Sequence, residues 1–367
     1  MLLTGARTAI ALEVARALHR DGHRVFTAES FPRYVAQYSN CVEEALAVPP
    51  PRLEPDAFID ALAAWIASRG ITRLIPTGEE ALWVARGRAR LEGLCEVFCD
   101  RLEVLDALHD KQRFQELAAA IGPVPQTWRP RNDAHLAALR ARHGPLILKE
   151  VYSRFGQGIR VVADQPSNRP PGRWIAQEWI EGRELCGLVI ARKGVLAGRI
   201  VYLPRHRMKL GPAFYFEPVA HEGADDWMRR FVARYALSGC FGFDFMERDG
   251  TLYPLECNPR MTSGVHLLAA NALSAALLGR AATDAVSRPP AMWAVAMLGV
   301  ALPRARSFAA LRAWSRDFRR ARDVFRDRND PRPARHLFSS QRHLRAIARQ
   351  QGVSIREAAT FYTRWDG

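Results

Sequence analysis

The sequence predicts an α/β fold that is followed by an α+β region and a mainly helical C-terminal extension. Roughly the first hundred residues alternate short apolar strands with amphipathic helices, which favours an open parallel sheet. The middle of the chain has strand–turn–strand patterns, and the Arg-rich end has apolar residues at helical spacing. We therefore expect three parts, the last of which is the Arg-rich, mainly helical extension at residues 291–367.

The composition is that of a water-soluble globular protein. Of the 367 residues, 48% are hydrophobic and 25% are charged. No basic segment followed by an apolar segment opens the chain, and the longest apolar run, residues 291–302, is too short to cross a bilayer. Six cysteines are scattered without a C-x-x-C pair, which predicts neither disulfides nor a zinc site. We expect a cytoplasmic protein without a membrane partner.

The net charge of +15 results from arginine rather than from a selected basic surface. Only four of the 53 basic residues are lysines, namely Lys111, Lys149, Lys193 and Lys209. Arginine has replaced lysine almost everywhere, and aromatic residues do not interleave with it as a stacking surface would require. Nucleic-acid binding is therefore disfavoured. The remaining lysines could mark sites that need a compact ammonium group, although Lys193 fits a hairpin turn.

The N-terminal part reads as strand, helix and strand. The strands "MLLTG" and "HRVFTAES" flank the helix "TAIALEVARALHRDG". A helix at residues 56–69, the strand "TRLIPTG", a helix from Glu79 and the strand "CEVFCD" are then expected in this order. The first turn, "GARTAI", lacks two glycines of the dinucleotide motif, which argues against NAD or FAD.

Such sheets bind ligands beyond the carboxyl ends of their strands, where residues 5–7 and 77–80 lie. Glu79 and Glu80 could face a substrate there. They could equally complement the dipole of the helix that they begin.

Two lysines in the middle part stand at positions where an anion could bind. Lys111 begins a helix, and Lys149 lies in the apolar strand "LILKEV", where an ammonium group is costly unless an anion meets it. The turn at residues 153–158 contains Gly156 and Gly158, which would let backbone N–H groups converge on phosphate oxygens. The alternative is an exposed hairpin with Lys149 in water.

A strand over residues 174–179 ends near Gly182 and restarts at Glu184. The unpaired backbone at this break could bind the edge of an adenine ring, and Glu184 could bind a ribose hydroxyl. The alternative is an ordinary turn with Glu184 in a salt bridge.

A hairpin is predicted over residues 242–257, where "GFDFME" and "TLYPLEC" flank Arg248, Asp249 and Gly250. We expect a three-residue loop, which pairs Glu247 with Thr251 and Asp244 with Pro254.

Alternation along these strands directs Asp244, Glu256 and Asn258 to one face, while Leu255 and Cys257 face the core. Two facing carboxylates repel each other, and a hard cation such as Mg²⁺ or Mn²⁺ would relieve the repulsion. The alternative is that the acids pair with arginines, first of all with Arg260.

Together these features resemble the ATP-grasp superfamily, which includes D-alanine–D-alanine ligase, biotin carboxylase and the large subunit of carbamoyl phosphate synthetase. The pattern is an Asp, a Glu twelve residues later and the continuation E-x-N-x-R, with two lysines upstream. The resemblance implies a preATP-grasp domain at residues 1–105. It implies an ATP-grasp domain at 106–290, with a lid subdomain at about 125–180 and a metal-binding subdomain at about 181–290.

The resemblance also implies a role for each candidate residue. ATP and Mg²⁺ (or Mn²⁺) are the implied cofactors. Phosphates would be held by Lys111, Lys149 and the lid turn of Ser153, Gly156 and Gly158. Adenine would meet the hinge of Gln177, Glu178 and Ile180, and ribose would meet Glu184. The metal ligands would be Asp244, Glu256 and Asn258, and Arg260 would steady the transferred phosphoryl group or its acceptor.

The sequence departs from the family pattern at two places. Glu150 follows Lys149 where proline is usual, and the lid has two glycines rather than three or more. Gln177 stands where an acid is common, which should matter little if only backbone atoms of the hinge contact adenine.

The implied activity is that of a ligase which forms an acyl phosphate and ADP, followed by attack of an amine to give an amide or peptide. A bicarbonate-activating enzyme of the biotin carboxylase type is an alternative, ranked lower because no carrier domain is visible. A non-catalytic nucleotide- or nucleic-acid-binding protein is another. Small-molecule carboxylates and amines are the expected partners. The C-terminal extension could form a homodimer face, cap the acceptor pocket or present a solvated surface.

Overall fold

The computed structural model describes residues 1–153, 160–162, 172–208, 211–280 and 288–367. It begins with five strands that alternate with helices. These elements are β1 (Leu2–Thr4), α1 (Ala9–Arg20), β2 (Phe26–Glu29), β3 (Glu44–Ala47), α2 (Pro55–Arg69), β4 (Arg73–Pro76), α3 (Glu80–Arg86), α4 (Arg88–Leu91) and β5 (Glu96–Val97).

The five strands form the predicted parallel sheet, in the order β3-β2-β1-β4-β5. The winding direction changes between β1 and β4, which makes their carboxyl ends the usual ligand crevice of such a sheet. Thr8 caps α1 by accepting a hydrogen bond from the Ala11 amide, and Gly70 ends α2 in the left-handed region that glycine adopts without strain. The edge strand β3 was not predicted.

A small antiparallel sheet follows two linking helices. These elements are α5 (Leu102–His109), α6 (Lys111–Ala118), β6 (Thr127–Trp128), α7 (Asp133–His143), β7 (Leu146–Glu150), β8 (Arg160–Val162) and β9 (Trp174–Glu178). The strand order is β6-β9-β7-β8. Lys149 lies on its central strand β7, opposite Ile175 of β9.

The third sheet is the largest and contains the long strands of the molecule. Its elements are β10 (Arg183–Arg192), β11 (Val195–Arg207), β12 (Ala213–Pro218), α8 (Glu222–Arg234), β13 (Gly239–Arg248), β14 (Thr251–Asn258), α9 (Ala270–Leu278), β15 (Ala291–Met292) and β16 (Arg322–Asp323). The order is β14-β13-β10-β11-β12-β15-β16, and its pairs are antiparallel except for β15 with β16. The hairpin turn predicted at Lys193 joins β10 to β11.

Aromatic packing fixes one face of the large sheet. Phe243 and Phe245 of β13 are fully buried, and the rings of both contact Trp227 of α8. The ring of Phe243 also contacts Phe231 of α8 and Phe114 of α6. Burying each of these phenyl rings contributes about 1.5–3 kcal/mol. Since side chains alternate along a strand, Asp244 between the two phenylalanines projects from the opposite face.

The C-terminal part is mainly helical, as predicted. Its helices are α10 (Ala294–Ala296), α11 (Phe308–Arg320), α12 (Arg332–Arg335), α13 (Gln341–Gln351) and α14 (Ile355–Ala358). A buried salt bridge of 2.9 Å between Arg16 Nε and Asp330 Oδ2 ties this part to α1. In the described residues, no helix has the length and apolar character that crossing a membrane requires.

Candidate functional site

The turn of the β13–β14 hairpin differs from the prediction. Arg248 pairs with Thr251, so the turn has only two residues, and Asp249 and Gly250 both have a positive φ, of 51° and 74°. The expected three-residue loop, with Glu247 opposite Thr251 and Asp244 opposite Pro254, is therefore wrong. Regular pairing from this turn would set Asp244 opposite Leu255 and send Glu256 to the other face.

A β-bulge corrects the register before it reaches Asp244. Phe245 pairs with Pro254, but Asp244 pairs with Glu256, which leaves Leu255 as an extra residue. Pro254 has no N–H to give to the ladder, and proline inside a sheet is typical of bulges and edges. The bulge brings Asp244 and Glu256 directly opposite each other, so the predicted row of oxygen ligands exists although its predicted geometry was wrong.

Asn258 continues the row on the same strand, opposite Gly242. A Cβ atom on Gly242 would lie 2.2 Å from Cγ2 of Thr262, so only glycine lets the loop after β14 fold back here. The sequence analysis missed Gly242, because a glycine inside a strand does not show which segment approaches it.

Asp244 has weak hydrogen-bond donors. Cys186 of β10 lies opposite it and donates from Sγ to Oδ1 at 3.0 Å, and Asn258 donates from Nδ2 to Oδ2 at 3.4 Å. Burial and the facing Glu256 raise the pKa of Asp244 to about 7. The site thus holds this carboxylate without neutralising its charge.

Glu256 is the partner that the protein keeps ionised. Lys111 Nζ lies 3.2 Å from Glu256 Oε2 and also donates to the Ser153 carbonyl oxygen at 3.3 Å. Burial alone would raise the pKa of Glu256, but the charges of Lys111 and Lys149 outweigh it and lower this pKa to about 2. Arg260, which the alternative interpretation paired with the acids, donates instead to Asn258 Oδ1 at 3.0 Å.

Lys149 is buried and points to the site, so the exposed-hairpin alternative is wrong. Its Nζ donates to Gln177 Oε1 at 2.7 Å, and burial lowers the pKa of Lys149 to about 8. Gln177 in turn donates from Nε2 to Thr127 Oγ1 at 3.1 Å. This contact of the Gln177 side chain was not predicted, and its neutral amide satisfies Lys149 without cancelling the charge of the lysine.

Three other predicted residues, Glu178, Ile180 and Glu184, lie around the end of β9 and the start of β10. The Glu178 amide donates to the Gln126 carbonyl oxygen at 2.8 Å, and Ile180 is buried next to it. Glu184 forms a 2.5 Å ion pair with Arg207, as its salt-bridge alternative predicted. Ser153 is buried. The predicted lid glycines Gly156 and Gly158 lie outside the described residues.

The carboxylates at the edge of the N-terminal sheet are satisfied by the protein itself. Glu80 Oε1 accepts hydrogen bonds from Thr4 Oγ1 and from the amides of Thr77 and Gly78, all within 3.0 Å. Glu79 accepts from the amide of Trp365 at 2.9 Å. These contacts favour structural roles over a substrate-facing one.

His266 is also structural in its contacts. It is buried after the site loop, and its Nδ1 lies 3.1 Å from Glu13 Oε2 of α1.

The donor set at the hairpin suits a hard divalent cation. Two carboxylates and one amide oxygen are ligands that Mg²⁺ and Mn²⁺ accept, whereas zinc prefers nitrogen and sulfur. No group of three or more His, Cys, Asp or Glu side chains within the described ranges could hold a metal ion alone. Magnesium is usually held by one or two carboxylates together with substrate phosphates, and this hairpin supplies two carboxylates.

Comparison with known proteins agrees with this arrangement. The family model of the ATP-grasp domain matches residues 109–264. No curated protein matches the sequence.

Three solved structures illustrate the similarity of fold. The biotin carboxylase domain dimer of Hydrogenobacter thermophilus 2-oxoglutarate carboxylase, in complex with MgADP, ADP and bicarbonate, is 14% identical (TM-score 0.60; 79% of this chain and 72% of that one are covered). Carboxyaminoimidazole ribonucleotide synthase of Aspergillus clavatus with ATP is 13% identical (0.62; 79% and 80%). N5-carboxyaminoimidazole synthetase of Staphylococcus aureus with ADP is 12% identical (0.62; 83% and 85%).

At these identities the solved structures speak for the fold, and the family model covers the two lysines and the hairpin within one domain. Residues 109–264 of this chain are therefore similar to an ATP-grasp domain.

Proposed function

We propose that the protein is an ATP-dependent ligase that activates a carboxylate as an acyl phosphate, releases ADP and joins the acyl group to an amine. The observation that carries the proposal is the pair Asp244 and Glu256, placed face to face beside two buried lysines. Like charges held together in a protein interior are destabilising, and a bound cation with its phosphates explains why the site keeps them.

The cleft residues have separate proposed roles in binding ATP. Lys111 and Lys149 would hold the α- and β-phosphates, because both ammonium groups are buried and the partner of Lys149 is neutral. The hinge at residues 177–180 would meet adenine through backbone atoms. Glu184 would bind ribose once it leaves Arg207. Ser153 begins the proposed lid, to which Gly156 and Gly158 also belong.

Asp244, Glu256 and Asn258 would hold Mg²⁺ or Mn²⁺, which when bound would neutralise charge on the triphosphate. Arg260 would orient the γ-phosphoryl group or the carboxylate that receives it. Its guanidinium is already fixed by Asn258, so it needs little reorganisation.

The proposed chemistry asks the protein for positioning rather than for a covalent step. The carboxylate oxygen attacks the γ-phosphorus and ADP leaves. An amine then attacks the acyl carbon, and phosphate leaves with the electron pair of the broken C–O bond. Excluding water protects the acyl phosphate from hydrolysis. The described side chains of the cleft bind and orient, so no protein nucleophile is needed.

The proposal includes the predicted domain limits at residues 105 and 290. The five-stranded sheet falls inside residues 1–105 and the small sheet inside the lid subdomain, which supports these limits. β15 and β16 come from the C-terminal extension but add to the large sheet, so this part is integrated with the site domain. All six cysteines are unpaired, which supports a reducing cytoplasm. Light scattering would test the proposed homodimer.

Bicarbonate is a second candidate for the activated carboxylate. The Hydrogenobacter domain with a similar fold was crystallised with bicarbonate. In this variant of the proposal the same ATP site would form carboxyphosphate, and an amine would be carboxylated.

A screen for ADP release tests both candidates. Carboxylic acids, bicarbonate and amines are supplied in pairs with ATP and Mg²⁺, and products are identified by mass spectrometry. The proposal expects release of ADP and phosphate that depends on one pair, with an amide or a carbamate formed in equal amount. Release of AMP, or ATP binding without turnover for every pair, would contradict it.

A further inference from the structure

The bulge at Leu255 is held by a side chain from another element. Gln115 of α6 donates from Nε2 to the carbonyl oxygens of both Pro254 and Leu255, each at 3.0 Å. An amide nitrogen has two protons, so one side chain satisfies both acceptors. Both carbonyl groups belong to the bulge in the edge strand β14, where the register shifts between the pairs Phe245–Pro254 and Asp244–Glu256.

Gln115 is not explained by helix packing. Its side chain is 4% exposed, and its Oε1 is buried with no hydrogen-bond partner among the described residues. A leucine or methionine would fill the space without leaving a polar atom unsatisfied, which costs about 1–3 kcal/mol. The two donated hydrogen bonds are therefore the reason to keep an amide at this position.

The same helix reaches the site at a second point. Lys111 lies four residues before Gln115, so both side chains leave the same face of α6, one turn apart. Lys111 contacts Glu256 and Gln115 contacts the two residues before Glu256. Thus α6 supplies a cation to the site and also determines the path of the strand that carries Glu256.

We propose that Gln115 is a positioning residue for the metal site: by holding the Leu255 bulge, it keeps Glu256 and Asn258 on the same face as Asp244. The competing arrangement is regular pairing from the two-residue turn, in which Leu255 stands opposite Asp244 and both ligands face the core. This inference rests on the proposed function, since it assumes that the row binds a divalent cation.

Mn²⁺ binding tests the inference without relying on turnover. Electron paramagnetic resonance measures Mn²⁺ affinity in the presence of ADP for the wild type, for Gln115→Met and for Gln112→Met. Gln112 is the matched control, because it lies on the same helix and donates to the exposed Glu116. We expect Gln115→Met to weaken Mn²⁺ affinity by about 10- to 100-fold, the usual effect of losing a residue that orients a ligand. Gln112→Met should have no effect.

ADP binding without metal separates positioning from collapse of the site. Lys111 also donates to the Ser153 carbonyl oxygen and Lys149 donates to Gln177, and neither contact involves the bulge. Gln115→Met should therefore bind metal-free ADP within about twofold of the wild type. Parallel loss of ADP and Mn²⁺ affinity would overturn the inference in favour of a general structural role.

Deletion of Leu255 provides a suppressor. Without the extra residue, a regular two-residue hairpin already sets Glu256 opposite Asp244 and needs no support for a bulge. We therefore expect the deletion to restore Mn²⁺ affinity to Gln115→Met, and failure of a folded double variant to do so would overturn the inference. Circular dichroism checks folding, and if the shortened chain does not fold, the Gln115→Met result decides alone.

The outcomes separate this inference from the function on which it rests. A wild type that binds neither Mn²⁺ nor ADP would contradict the proposed function. A wild type that binds both, together with an unchanged Gln115→Met variant, would contradict only the role of Gln115.

Discussion

Glu80 and Asp244 are both buried carboxyl groups with raised pKa values, yet their surroundings are opposite in kind. Burial is the main cause in each case. Glu80 lies at the ligand crevice of the N-terminal sheet, but one of its oxygens accepts three hydrogen bonds from the protein. Asp244 instead faces another carboxylate and has a thiol and a distant amide as donors.

The difference shows which buried acid is structural and which is kept for a ligand. A satisfied carboxylate stabilises the fold by itself. Asp244 has no such set of donors and faces the ionised Glu256, so its charge is retained at a cost in stability. The number of hydrogen bonds that a buried carboxylate accepts from the protein therefore indicates a ligand site better than its position at the crevice of a parallel sheet does.

The largest expected effect is the loss of turnover when the acidic pair of the hairpin is changed. Glu256→Gln removes the carboxylate that Lys111 and Lys149 keep ionised. We expect Mg²⁺-dependent ADP release to fall at least about 100-fold while the protein stays folded. The matched control is Glu247→Gln on the other face of the same hairpin, which should keep its activity. Full activity of Glu256→Gln would remove the metal row from the mechanism.

A smaller loss is expected for Lys149→Arg. The guanidinium keeps the charge, but it is larger than the ammonium group that it replaces. The buried Lys149 Nζ lies only 2.7 Å from Gln177 Oε1, so the larger group does not fit in the same place. Nucleotide affinity should fall about tenfold, equivalent to ~1.4 kcal/mol, as measured by calorimetry with ADP. Lys193→Arg in the exposed hairpin turn is the control. Unchanged ADP affinity in Lys149→Arg would show that the site does not need a lysine.

Stability should respond in opposite directions at the two acids. Glu80→Ala leaves buried donors unsatisfied and should lower the free energy of unfolding by about 2–5 kcal/mol. Asp244→Asn relieves repulsion and should raise it by about 0.5–2 kcal/mol while abolishing Mn²⁺ binding. Urea denaturation measures both values, and a destabilised Asp244→Asn would contradict the view that this charge is held under repulsion.

The pH dependence of metal binding is the mildest test of the comparison. The pKa of Asp244 is raised to about 7 from an ordinary value of 3.8, so its ionised form costs stability as pH rises from about 4 to 7. Metal binding needs that ionised form. Mn²⁺ affinity should therefore fall by about tenfold per pH unit below 7 and level off above it. A flat profile in the wild type would contradict a raised pKa of Asp244.

Much of the fold followed from local patterns. Alternating strands and helices gave the parallel sheet, and the apolar strand around Lys149 gave a buried lysine. The edge strand β3 escaped because residues 44–47 are short and partly exposed, with little apolar periodicity. A periodic apolar pattern arises where one face of an element is buried, and only Leu46 of this strand is buried.

The metal row was predicted correctly in its members and wrongly in its register. A turn with Asp249 and Gly250 fits two-residue and three-residue loops, and only tertiary contacts decide between them. The bulge depends on Gln115, which lies 139 and 140 residues before the two carbonyl groups that it binds. Pro254 was the one local sign, because a proline inside a strand indicates interrupted pairing. The contact of Gln177 with Lys149 was not predicted for the same reason, since Lys149 lies on a neighbouring strand.

The most direct test of the central claim is a crystal structure with Mn²⁺ and ADP, read from the anomalous scattering of manganese. We predict a manganese peak about 2.1 Å from carboxylate oxygens of both Asp244 and Glu256. Asn258 Oδ1 and phosphate oxygens of ADP should complete the coordination shell. A peak away from this hairpin, or a regular β14 that turns Glu256 towards Phe243 and the core, would contradict it.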